Sequence, residues 1–139
     1  MHYRDLDELL AEYQNEIVDI FIKQKVSYKN IDDIKSLIHL YFSSFCSQSY
    51  THERMLCAGS YQKFSDEINK RIMDFRRQTN RGAFGLDKYS ESIIFAYFGT
   101  CSANIYRQWV ADGKKLSVEE LTDIATQLIC NGMSAFVKN

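Results

Sequence analysis

Histidine, cysteine and arginine are the side chains whose types and spacing could do chemistry in this chain. Away from the amino end, imidazoles stand only at His39 and at His52, which is followed by Glu53. No His-Glu-x-x-His step and no pair of histidines at helical spacing accompanies them, so a zinc-type ligand set is not spelled out. The four cysteines, Cys46, Cys57, Cys101 and Cys130, are far apart and form no Cys-x-x-Cys pair. A covalent catalyst needs a nucleophile beside a base and a preorganised oxyanion site. No Gly-x-Ser-x-Gly run provides one. Gly82 and Gly85 follow a helical pattern and lack the Lys-Ser/Thr that grips a phosphate. The expectation is no catalytic residue, no metal and no cofactor: not an enzyme.

The arginines group more tightly. Arg71, Arg76, Arg77 and Arg81 gather near the end of one predicted helix. An anion or DNA-backbone contact is one reading. The favoured reading is simpler, because cations suit a helix carboxyl end, where the macrodipole is negative. The formal net charge of -1 supplies no global positive field for nucleic acid. Scattered cysteines of this kind read as reduced thiols of a cytoplasmic protein, packed as small apolar groups. Residues 1–24 are charged and amphipathic, unlike a secretory leader. No uncharged apolar run is long enough to span a bilayer, so no membrane association is expected.

These side chains must be positioned by helices. The 139 residues contain no proline and six glycines, with no sustained alternation of the strand type. The periodicity predicts an all-α chain of about six helices in one domain spanning 1–139. The first runs from Leu6 to Lys25, with Asp5 as its cap. The second follows Asn30 and runs to Gln48. A short third covers His52 to Ala58, and the fourth Tyr61 to Gln78. A loop from Thr79 to Gly85 leads into a long hairpin, Asp87 to Phe136.

The hairpin carries most of the information. Its first helix shows two apolar stripes, one through Tyr89, Ile93, Ala96, Ala103, Tyr106 and Val110, the other through Ile94, Phe98, Cys101, Ile105 and Trp109. Two stripes imply burial against two surfaces, one of them a second copy. Asp112-Gly113 stops the helix, and Ser117 with Glu120 forms a capping box that opens the next. That last helix is amphipathic through Val118, Leu121, Ala125, Leu128, Gly132 and Phe136. The predicted dimer interface is Ala96, Ala103, Tyr106, Val110, Leu121, Ala125, Leu128 and Gly132. A core hairpin in a monomer is the alternative.

The segment His2-Tyr3-Arg4-Asp5-Leu6-Asp7-Glu8-Leu9-Leu10 resembles the closing stretch of the helix-turn-helix domain in TetR-family transcriptional regulators. The pattern Ala96-Tyr97-Phe98-Gly99, then Ile105 through Gly113, then Leu116-Ser117-Val118-Glu119-Glu120-Leu121 is similar to the last two helices of that family's ligand-binding and dimerisation domain. The resemblance implies a TetR-like regulatory domain that dimerises through a four-helix bundle. Residues 1–10 would be the tail of a DNA-reading domain whose recognition helix is not in this chain. The chain is then a fragment of a longer regulator or a product that has lost its reader, and DNA is a partner only through that missing domain.

Aromatic residues make up 14% of the chain. Phe42, Phe45, Phe64, Phe95 and Phe98 fall on inward stripes and are the candidate lining of a pocket for an apolar or aromatic effector, with His39 or Tyr41 available to orient it. For any single ring, a filled core is the alternative. The expected function is that of an effector-binding and dimerisation domain of a TetR-like regulator. The competing class is a stand-alone helical dimeric interaction module without a small-molecule ligand.

Overall fold

A computed structural model describes residues 3–24, 29–57, 62–134 and 136. Among them every regular element is a helix: α1 Tyr3–Ile22, α2 Ile31–Cys46, α3 Tyr50–Cys57, α4 Gln62–Thr79, α5 Lys88–Ala111 and α6 Val118–Met133. The predicted termini at Lys25, Ala58 and Tyr61, and the start of the resemblance at His2, lie outside the described residues.

The local signals that end helices work as hydrogen-bond chemistry. Asn30 Oδ1 accepts from the Asp33 amide at 3.0 Å, and Ser117 and Glu120 satisfy each other's amides at 3.1 and 3.2 Å. At the end of α5 the Gly113 amide donates to Val110 O and the Lys114 amide to Trp109 O. This closure requires a left-handed residue, and Gly113 supplies it at φ 84°. Asp87, unassigned by the pattern reading, caps α5 by accepting from the Tyr89 and Ser90 amides, both at 2.9 Å. Several expected ends move: α2 closes at Cys46 instead of Gln48, and α3 opens at Tyr50 instead of His52. Asp5 lies inside α1 instead of capping it, because the helix already runs at Tyr3. Phe136 stands in a turn beyond α6, which closes at Ser134.

The helices pack in a layered bundle, α2 along α6, α4 along α5 and α1 on α4. Ile17, Val18 and Phe21 of α1 meet Ile34, Ile38 and Phe42 of α2, Ile68 and Ile72 of α4, Phe98 of α5 and Ile129 of α6 in one core. These positions repeat at three- and four-residue steps, so each helix turns one apolar stripe inward. Arg76 departs from the expectation for its cluster. It is buried, and its guanidinium leaves its own helix end to donate to Phe21 O at 2.8 Å and Gln24 O at 3.1 Å. It therefore caps α1 from α4. Arg71 reaches Gln14 and Asn15 on α1, and Arg77 bonds Asp74, so the four arginines do not form one patch.

Candidate functional site

The hairpin of α5 and α6 presents an apolar face to solvent. Tyr97, Cys101 and Ile105 follow at four-residue steps on α5, after Ile93, which is 71% exposed. Across the hairpin Ile124, Leu128 and Gly132 repeat the same step on α6, with Leu128 59% exposed. No charged residue occupies these positions. The face carries two grooves. One, of about 370 Å³, lies among Ile93, Tyr97, Gly132 and Phe136. The other, of about 210 Å³, lies among Ile105, Leu116, Leu121 and Ile124. Between them Tyr97 Oη donates to Leu128 O at 3.4 Å. Burial, then the neighbouring Cys101 thiol, raises its pKa above the ordinary phenol range.

The turn that joins the two helices is held from three sides. Trp109 Nε1 donates to Leu116 O at 2.8 Å. Lys114 takes a left-handed φ of 57°, lies over the Trp109 ring and pairs with Glu53 of α3 at 2.6 Å. The hairpin is thus fixed to α3, and its outer face is presented on a braced scaffold.

The predicted interface residues divide. Leu128 and Gly132 lie on the outward face. Tyr106, 2% exposed, and Ala125, 0% exposed, are inside the protomer with Leu121 and Ala103, and Val110 is half-buried against the core. Ala96 is exposed but lines a groove between α4 and α5. The stripe proposed from the sequence is therefore not one face. At about 100° per residue, Ala103, Tyr106 and Val110 are turned roughly 70° around the axis from Tyr89, Ile93 and Ala96. The interior residues take the first set, and solvent meets the second.

The predicted pocket rings also have definite places. Phe42, Phe45, Phe95 and Phe98 are buried and Phe64 is half-buried. Phe45 lies 4.4 Å from Tyr41, 4.7 Å from Phe21 and 5.0 Å from Tyr106, and Phe98 meets Tyr41 edge-on at 6.2 Å. These rings pack on one another, as aromatic edges and faces prefer. His39 is exposed. Tyr41 is buried, and among the described residues its Oη has no hydrogen-bond partner; Ser102 Oγ and Asn69 Oδ1 share that condition. Burial drives the Tyr41 hydroxyl far above its usual range, against the nearby positive charge of Arg107, so it remains protonated.

His52 of α3 ties its helix to α1 and to the turn that follows α2. Its Nε2 is 3.3 Å from Glu16, its Nδ1 3.1 Å from Gln48 Oε1, and its ring stands edge-on to Tyr13. Neighbouring Glu53 is taken by Lys114, so the pair serves packing between helices. Among the described residues no group of three or more His, Cys, Asp or Glu side chains is placed to hold a metal. Burial pushes the Cys46 and Cys57 thiols up to about 11, which leaves little thiolate at neutral pH. Among the described residues no helix is long and apolar enough to cross a membrane. No family model, curated protein or solved structure matches the chain.

Proposed function

We propose that this chain is the dimerisation and effector-binding domain of a TetR-like transcriptional regulator. The observation that carries the reading is the outward face of α5 and α6, with Ile93, Tyr97, Cys101, Ile105, Ile124 and Leu128 in two parallel apolar rows. Contiguous exposed apolar surface of this kind marks an interaction site. Two antiparallel helices on one flat face can stack on the same face of a second copy, because a two-fold interface is self-complementary. The result is a four-helix bundle. The residues assigned to the interface are those on the outer rows, replacing Ala103, Tyr106, Leu121 and Ala125, which the protomer itself buries.

One observation favours a second reading. The rings of Phe42, Phe45 and Phe98 all pack on Tyr41, as in the filled core of a dimeric interaction module that takes no small molecule. Sedimentation with thermal denaturation against a compound library separates the two. The regulator reading expects a dimer at micromolar concentration and at least one compound that raises the melting temperature, since a ligand specific for the native state stabilises it by mass action. A dimer that no compound stabilises supports the interaction module. A monomer defeats both.

A further inference from the structure

Among the described residues five buried side-chain polar atoms stand without hydrogen-bond partners, on Gln24, Tyr41, Asn69, Glu91 and Ser102, and three of them come from three packed helices: Tyr41 Oη of α2, Asn69 Oδ1 of α4 and Ser102 Oγ of α5. Tyr41 and Ser102 are almost wholly out of solvent. A buried hydroxyl without a partner loses its bonds to water and gains none in return. Their placement is coherent. On α5 the positions Phe98, Ser102 and Tyr106 follow at four-residue steps, and Tyr41 and Phe45 of α2 stack on the first and last of them. Ser102 is therefore one helical turn from each of the two ring contacts that bring α2 and α5 together.

A groove of about 330 Å³ between α4 and α5 has one of the three, Asn69, in its wall. Its more buried members are Asn69, Met73 and Phe95, and Asp74 and Arg77, paired at 3.1 Å, stand toward solvent. Met73 lies directly on Gly99: a β-carbon there would be 2.6 Å from its Cγ and 3.0 Å from its Sδ. Only glycine admits that approach. The side chain that closes the groove is thus an unbranched thioether with several rotatable bonds, able to move without disturbing a helix. Gly99 and Ser102 are one turn apart on α5.

We propose that this groove is the mouth of a small-molecule site that ends on the Tyr41 and Ser102 hydroxyls, closed here by Met73, and that its ligand is a neutral, flat molecule with one carbonyl or hydroxyl oxygen. The proposal rests on the effector half of the function proposed above. Neutrality follows from the surroundings. Arg107, whose charge acts on Tyr41, already donates to Leu56 O and Ser65 Oγ and faces Asp66, and Lys70 and Arg77 in the groove wall both pair with Asp74. Among the described residues no unpaired cation lines the groove to receive a carboxylate, which would lose its hydration on entry. A protonated Tyr41 is a donor, so the ligand must bring an acceptor. The rings of Phe98 and Tyr41 favour a flat partner.

The test uses acetophenone, with ethylbenzene as the analogue lacking oxygen and benzoate as the charged one. Methyl-labelled methionine in the full chain reports the site at Met73, with Met55 and Met133 as internal references. Acetophenone should move the Met73 methyl saturably and raise the melting temperature. Ethylbenzene and benzoate should bind about tenfold more weakly or worse, the cost of leaving the hydroxyls unpaired or burying a charge. Tyr41→Phe and Ser102→Ala should each lose about the same factor while melting no lower than the parent without ligand. Equal binding of ethylbenzene, or variants that bind as well as the parent, would overturn the proposal. So would variants that melt lower without ligand, because the hydroxyls would then be structural. A melting-temperature rise with a stationary Met73 methyl would overturn this site and leave an effector-binding domain standing. No response by either readout overturns the site, and only a failure of the wider compound library reaches the effector reading itself.

Discussion

Tyr97 lies over Gly132 so closely that a β-carbon at residue 132 would stand 2.5 Å from the Tyr97 Oη. The two residues come from the two helices of the hairpin and meet on its outer face. The missing side chain lets the ring lie across α6, where both residues line the larger groove.

Gly132→Ala should therefore separate two properties. The methyl group improves helix propensity by about 1 kcal/mol. The clash falls on the far end of a flexible side chain, which can swing outward at small cost. Thermal unfolding of the monomer should stay level or rise slightly, while the proposed dimer weakens because the lifted ring spoils the fit. A lower melting temperature with unchanged dimer affinity would contradict this.

Arg76 holds the end of α1 through two backbone carbonyls, Phe21 O and Gln24 O. Arg76→Met leaves both acceptors without that donor inside the protein. The expected loss, measured by urea unfolding, is about 2–4 kcal/mol, as for charged hydrogen bonds at buried acceptors. Arg76→Lys should recover only part of it, because a single ammonium lacks the planar fork that spans both carbonyls. Full recovery with lysine would show that charge alone matters.

Asp87 is held below the ordinary carboxylate range, first by the Ser90 amide and then by the Ser90 hydroxyl. A lowered folded-state value favours folding above the unfolded-state value near 4, and that contribution disappears as pH falls through the folded value. Asp87→Asn keeps a good cap but removes the ionisation. At neutral pH its melting temperature should stay close to the parent's, and below about pH 4 the parent should lose more stability than the variant. Parallel acid limbs for the two proteins would remove Asp87 from the account.

Cys46 and Cys57, with thiols pushed up to about 11, should alkylate far more slowly than a free thiol at pH 8, and their rates should climb with pH beyond that. Mass spectrometry of iodoacetamide adducts reads each site separately. Rapid labelling of either at pH 8 would show that burial does not suppress its thiolate.

How far the sequence could be read depended on the range of the interaction. Asn30, Ser117 with Glu120 and Asp112-Gly113 announce helix ends because capping is settled within four residues, and the structure uses all of them. Asp87, three residues before Ser90, carried a similar signal and could have been found. The stripe through Ala96, Ala103 and Tyr106 could not be resolved alone. Over a 24-residue helix, small phase differences accumulate, and only the packing of α2, α4 and α6 shows which side is covered. The inward direction of Phe42, Phe45 and Phe98 was legible. Whether a ring meets another ring or a space depends on side chains more than fifty positions away, as with Phe45 and Tyr106. Arg76 shows the same limit, since its carbonyl partners belong to another helix.

The central claim is that the outer rows of α5 and α6 bind a second copy, and Leu128→Glu tests it most directly. Leu128 is largely exposed in the protomer, so a glutamate there leaves the fold and melting curve of the isolated chain nearly unchanged. Across a dimer interface it would bury a charge without a partner, at a cost of several kcal/mol. Sedimentation equilibrium at micromolar concentration should find a dimer for the parent and a folded monomer for Leu128→Glu. A monomeric parent, or a folded variant that remains dimeric with undiminished affinity, would contradict the account.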